Sequence, residues 1–169
     1  MPGHDEGPDP PDRAARWYDE GLRFACTGCG RCCTGGGGYV WVGVEEIRRL
    51  AARTGMGLDD FGRRFLRRVG ERYALVDGPR GACTFLRGAS CSVYDDRPAQ
   101  CRAFPWWPAN LESPAAWKQA AKSCEGISDL APVVVVEAIE ASLAEARAAG
   151  LTSGFSEEDD GEGRPPGDE

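Results

Sequence analysis

Apolar residues return at helical spacing in three stretches of the chain. Over Val44–Arg53 they fall at Val44, Ile47, Leu50 and Ala51, and Gly55 follows as a stop. From Asp59, a candidate cap, to about Val69 they fall at Phe61, Phe65, Leu66 and Val69. Arg63, Arg64, Arg67 and Arg68 lie mostly on the opposite face of that helix. From Ser128, another candidate cap, to Ala149 the stripe is Val133, Val136, Ile139, Leu143 and Ala146, and Gly150 ends it. The run Val133–Val136 alone would suit a strand, but the helical period persists well beyond it. Shorter helices are expected over Arg13–Phe24 and Ala115–Lys122. Tyr39–Val42 and Tyr73–Val76 read as short strands, the second ended by Asp77-Gly78-Pro79. Cys83–Tyr94 reads as two extended pieces around Arg87-Gly88, and Arg97–Arg102 as a helical turn entered by Pro98. The prolines of Phe104–Pro108 exclude a regular helix. The expected fold class is α+β, mainly helical with a few short strands: a small cysteine-rich domain stapled by metal.

Charge divides the chain. The formal net charge of the 169 residues is −7. Met1–Asp12 has four acidic residues, no Lys or Arg, and four prolines, while Thr152–Glu169 has seven acidic residues against Arg164. Neither end has the apolar surface to offset chain entropy, so both are expected to be disordered acidic tails, over 1–12 and 152–169. The segment between, 13–151, has 19 basic and 16 acidic residues and is expected to be the cysteine-cluster domain. The single histidine, His4, lies in the N-terminal tail, so this segment holds all eight cysteines and no histidine. No apolar run approaches a membrane span, and the N-terminus lacks the basic start and apolar stretch of a secretory signal. A cytoplasmic protein is therefore expected, with no membrane partner. Disulfides are disfavoured in that compartment, so the cysteines point to metal or redox chemistry.

Four cysteines, Cys26, Cys29, Cys32 and Cys33, form a C-x-x-C-G-x-C-C group, and Cys83, Cys91, Cys101 and Cys124 are dispersed. Two residues between thiols let both sulfurs face one centre, and Gly28 and Gly30 supply the close backbone approach that such a turn needs. Without histidine the donor set is mainly thiolate, which favours zinc or an iron–sulfur cluster over magnesium or calcium. Adjacent Cys32 and Cys33 point in different directions in most backbone conformations. The spacing admits two four-sulfur centres, one centre with spare cysteines, or one centre completed by Asp95 or Asp96. Arg31, Arg97 and Arg102 lie near these candidates and would offset the negative charge of a thiolate centre. The bland readings are buried apolar cysteines, a disulfide framework and ordinary surface arginines. Four thiols within eight residues fit the first of these poorly.

With these residues in view, the chain resembles the YkgJ-like cysteine-cluster family, described as a zinc- or iron-chelating domain and named for its CxxCxxCC signature. The stretches that carry the resemblance are FACTGCGRCC (Phe24–Cys33), ACTFLRGASCSVYDDRPAQCRAFPWWP (Ala82–Pro108) and Cys124-Glu125-Gly126-Ile127. It covers about Phe24–Ile127. Glu125 departs from the pattern, which usually has proline there. Some relatives are described as iron–sulfur proteins, and a related cluster occurs in flagellin lysine N-methylases. The resemblance therefore implies metal binding more strongly than any reaction.

Other features add little chemistry. Phe104–Pro108 reads as a water-excluding shell beside a metal, in preference to an aromatic partner groove. The arginines Arg63, Arg64, Arg67, Arg68 and Arg72 read as a solvated face, and nucleic acid is not expected as a partner. Gly35–Gly38 lacks the Lys-Ser/Thr of a phosphate loop, no Rossmann fingerprint is present, and no histidine is available for a catalytic triad. The leading expectation is a protein that chelates zinc or iron, the iron in one version as an iron–sulfur cluster, through all eight cysteines. Two alternatives stand beside it: an iron–sulfur oxidoreductase or methylase-like group-transfer enzyme, and an interaction module held by structural zinc. The sequence names no reaction, substrate, protein partner or oligomeric state.

Overall fold

The computed structural model describes residues 15–34 and 38–150. The expected tails, and Arg13–Ala14, lie outside the described residues. In chain order the elements are β1 (Leu22–Arg23), β2 (Trp41–Val42), α1 (Val44–Arg53), α2 (Leu58–Phe65), β3 (Leu66–Val69) and β4 (Arg72–Leu75). They continue with β5 (Leu86–Arg87), β6 (Ser90–Cys91), α3 (Ala99–Arg102), α4 (Pro108–Leu111), α5 (Pro114–Ser123), β7 (Val133–Val134) and α6 (Val136–Ala148). The result is the α+β class expected, with helices dominant and every strand short.

The strands form three small antiparallel sheets: β2-β4-β3, the hairpin β5-β6, and the pair β1-β7. Two apolar clusters result. In the first, Val42, Leu50, Ala51, Phe61, Phe65, Leu75, Phe85 and Val93 join α1, α2, the three-stranded sheet and the hairpin region. In the second, Tyr18, Trp106, Leu111, Trp117, Ile139 and Leu143 join the N-terminal turn, α4, α5 and α6. Phe61, Leu50 and Ile139 are fully buried. The short α3 is tied to both sides. Glu46, in the first turn of α1, accepts the Ala99 amide at 2.6 Å, and Arg102 pairs with Glu145 of α6.

Helix α1 spans the residues that its apolar spacing predicts, and Gly55 follows it at φ 68°. Ser113 caps α5 by accepting the Ala116 amide at 3.1 Å. The expectations for three helices are corrected. The second helix stops at Phe65, because Leu66–Val69 pairs residue for residue with Arg72–Leu75. Gly57 is its cap residue, with Asp59 inside the first turn. The basic residues are accordingly spread over α2, β3 and β4. Arg67 lies over the Tyr39 ring and Arg72 over Trp41. The last helix begins only at Val136, because Val133–Val134 pairs with Leu22–Arg23. Ser128 instead starts a turn closed by the Ala131 amide at 3.1 Å. Of the expected Arg13–Phe24 helix, the described part is a turn at Trp17–Glu20 followed by β1. The Trp17 indole donates to Leu111 O at 2.8 Å and Tyr18 enters the second cluster, which holds the chain away from a helical path.

Candidate metal centre

The first cysteine loop is fixed at its root. The Phe24 amide donates to Pro132 O at 3.1 Å and the Ala25 amide to Gly126 O at 3.0 Å. This approach is close enough that a Cβ on Gly126 would lie 2.4 Å from Ala25 O. It brings the start of the loop beside the Cys124 turn. The loop then bends at Gly28 and Gly30, both at φ 70°, a left-handed conformation that glycine adopts freely. It closes in a 3₁₀ turn at Arg31–Cys33, whose Cys33 amide donates to Gly30 O at 2.9 Å.

The downstream cysteines arrive from four places. Cys83 follows the turn after β4, and its amide donates to Cys33 O at 2.7 Å. Cys91 lies on β6 opposite Leu86. Cys101 lies within α3, and Cys124 caps the C-terminal end of α5. All eight cysteines, Cys26, Cys29, Cys32, Cys33, Cys83, Cys91, Cys101 and Cys124, line one cavity of about 270 Å³. Its apolar wall includes Val40, Leu75, Phe85 and Val93 from the first cluster and Phe24 from the second. The cavity therefore sits between the two clusters.

The thiols ring this cavity without converging. Cys33 neighbours Cys32 in sequence and Cys83 across the backbone hydrogen bond from the Cys83 amide to Cys33 O. Among the described residues, no three His, Cys, Asp or Glu side chains already form a metal-holding group. Protonation follows the surroundings. Contact with Cys33 lowers Cys32 from 9.0 to about 6 and Cys83 to about 7, while the same contacts raise Cys33. Burial pushes the Cys101 thiol up to about 12 and also raises Cys91 and Cys124. Cys91, Cys101 and Cys124 thus resist carrying negative charge by themselves, and a cation among the sulfurs is what offsets it.

The expected charge partners are in place. Arg31, Arg97 and Arg102 all line the cavity. Arg31 faces Glu125 at 3.7 Å and Arg102 pairs with Glu145. Arg97 lies over the Tyr94 ring, 3.5 Å from its centre, and the Tyr94 hydroxyl donates to Cys26 Sγ at 3.7 Å. Asp95 and Asp96 face Arg53 at 3.4 and 3.6 Å and are not among the cavity-lining residues, so they are not placed to complete a centre. The aromatic stretch divides. Phe104 and Trp107 line the cavity, whereas Trp106 stacks on Trp117 in the second cluster.

Two positioning residues escaped sequence reasoning, and a third, Glu125, stood out only as a departure from the family pattern. Gln100 is buried; its Oε1 accepts the Trp41 amide and its Nε2 donates to Tyr39 O, each at 2.9 Å. It fixes the chain that returns from the glycine loop against α3. A polar residue directly before Cys101 is its only signal. Tyr94 acts through a side-chain contact with Cys26 that its position in the sequence does not disclose. Glu125 accepts the Thr27 hydroxyl at 2.8 Å. It thereby links the Cys124 turn to the first loop, where the expected proline would have no such group.

Among the described residues no helix is long and apolar enough to cross a membrane. No solved structure matches the chain. A family model matches residues 25–125, with the description "CxxCxxCC: Putative zinc- or iron-chelating domain". That span is more than half of the chain and contains all eight cysteines, so this protein belongs to the CxxCxxCC family.

Proposed function

We propose that this protein binds zinc or iron through thiolates drawn from Cys26, Cys29, Cys32, Cys33, Cys83, Cys91, Cys101 and Cys124. One observation carries the reading: cysteines from widely separated parts of the chain line a single cavity. Free cysteines serving as apolar filler would scatter through both clusters instead. The donor set fits zinc and iron, which take thiolate readily, and does not resemble the oxygen-rich sites of magnesium or calcium. Bound there, the metal supplies a positive centre that several thiolates share, and iron with sulfide adds one-electron redox chemistry. The chain's own residues do the rest. Arg31, Arg97 and Arg102 offset the remaining negative charge, and Tyr94 donates to Cys26. Phe104 and Trp107 limit access of water.

The direct test is purification without air, followed by zinc, iron and acid-labile sulfide analysis per chain. Near-stoichiometric metal is expected. A folded, colourless protein without zinc, iron or sulfide sinks the reading. Sulfide in proportion to iron, with visible absorption that bleaches reversibly on reduction, would identify the cluster version.

A further inference from the structure

Apart from the cysteine cavity, with which it shares no lining residue, α1, α2 and the three-stranded sheet leave an open groove of about 390 Å³. Its apolar lining is Val44, Ile47, Leu58, Leu66 and Tyr73, of which Val44, Leu58 and Tyr73 are 59, 52 and 41 % exposed. Apolar side chains grouped at the surface and rimmed by polar ones mark a contact site. Arg48, Arg63 and Asp59 supply the rim. Arg48 and Arg63 each have a carboxylate neighbour, Glu45 and Asp60, but exposed pairs of this kind hold weakly and leave the guanidinium free to share. Over residues 44–75 the chain carries eight arginines against five acidic residues. The described part of the chain ends beside this groove. Arg72 donates to Ala149 O at 2.9 Å, and Gly150 turns at φ 85° so close by that a Cβ on it would lie 2.6 Å from the guanidinium. The cleft that Arg72 and Ala149 line shares Val44 and Tyr73 with the apolar groove.

We infer that this groove is the docking site of the chain's own C-terminal segment: Phe155 seats among Val44, Leu58 and Tyr73, and Glu157–Asp160 lie along Arg48 and Arg63. Three observations select this occupant. Residues 152–169 hold seven acidic residues against Arg164, the charge that complements the groove. Phe155 is five residues beyond Gly150, a reach of up to about 17 Å from the exit at Arg72, and four consecutive acidic residues begin two positions later. The segment has too little apolar surface to fold alone, so any order it gains comes from a surface that supplies the apolar partner. Attachment at Gly150 holds it near the groove at an effective concentration of millimolar order, so a weak contact suffices. The other acidic segment, 1–12, has no Phe, Tyr, Trp, Leu, Ile or Val to fill the groove, and the chain that follows it joins the second cluster through Tyr18. Docked, the C-terminal segment covers an apolar patch otherwise offered to other chains. Metal plays no part in this contact.

The test uses the isotope-labelled full-length chain, purified without air. In low salt, nuclear Overhauser contacts are expected from the Phe155 ring to the Val44 and Leu58 methyl groups, and high salt should weaken them. Phe155→Ala should remove them and move the Val44, Leu58 and Tyr73 amide signals, with those of Trp117 and Ile139 unmoved. A glutamate-specific protease gives a second readout. Burying a phenylalanine shifts an equilibrium by roughly ten- to a hundredfold. Cleavage after Glu157 and Glu158 should accordingly be about tenfold faster in Phe155→Ala and in Leu58→Glu than in the natural chain. Phe155 lies outside both clusters, so its variant does not put the fold at stake. Equal cleavage in the natural chain and Phe155→Ala, with groove signals unmoved, overturns the inference. Groove signals that follow protein concentration and ignore Phe155→Ala identify a second copy as the occupant and overturn it too. The same holds if those signals move instead when Asp5, Glu6, Asp9 and Asp12 are replaced by their amides.

Discussion

Among the described residues, Arg97 is the cavity arginine that meets no carboxylate; Arg31 and Arg102 are each paired with a glutamate. Its charge is therefore the one most available to the thiolates. Substitution Arg97→Gln is expected to weaken metal binding by roughly ten- to a hundredfold, the usual effect of removing a partner of the ligands. Arg97→Lys should recover part of the loss. Competition against a chromogenic chelator measures both. A second residue-scale prediction concerns Tyr18, whose hydroxyl donates to Glu140 Oε1 at 2.8 Å. Burial, and then the Glu140 carboxylate, raise its pKa above 10.0. The folded state therefore keeps this proton where the unfolded chain loses it, and stability falls as pH rises past 10. Tyr18→Phe should flatten that alkaline decline in denaturant titrations; an unchanged slope would remove the explanation. At this scale the sequence disclosed the eight thiols and the three arginines, because residue type and spacing mark them. It did not disclose Tyr94 or Gln100, whose roles come from partners that only the fold brings close.

Among the elements, legibility depended on how much of the stabilisation is local. Helix α1 follows from its own apolar stripe, and α5, expected over Ala115–Lys122, is closed locally by the Ser113 cap that the structure adds. Leu66–Val69 and Val133–Val134 carry residues that suit a helix stripe equally well. Their partners, Arg72–Leu75 and Leu22–Arg23, decide the outcome in favour of strands. For the second pair that partner lies more than a hundred residues away in sequence, which no periodicity window reaches. Within α6, Ile139 is fully buried and holds the helix against Tyr18, Trp106 and Trp117. Ile139→Ala is expected to cost about 2–5 kcal/mol, the range for emptying a core site of this size. Chemical denaturation checks the value, and a loss under ~1 kcal/mol would mean that the cluster closes over the gap.

At the scale of the whole molecule, metal binding and folding share one free energy. Thiols must lose protons to become ligands, so zinc uptake should release protons and weaken as the pH falls. Calorimetry in buffers of different ionisation enthalpy counts those protons; no proton release would contradict thiolate ligation. A strong chelator should lower the melting temperature. With free metal about a hundredfold above its dissociation constant, the stabilisation lost is about 2.7 kcal/mol. The position of the cavity between the two apolar clusters carries this further. Each cluster is small, and the cysteines are anchored in segments on both sides. Metal-free, the polar ties between the two halves among the described residues are those through α3 and Arg72, and the halves are expected to melt separately, Phe61 and Leu50 at one temperature and Ile139 with the tryptophans at another. Tryptophan fluorescence, which reports mostly on the second half, would then part company with the far-ultraviolet signal. Loaded with metal, the same chain should melt once, with both signals superimposed. The ion would then act as the grammar of the fold, turning two short clauses into one sentence.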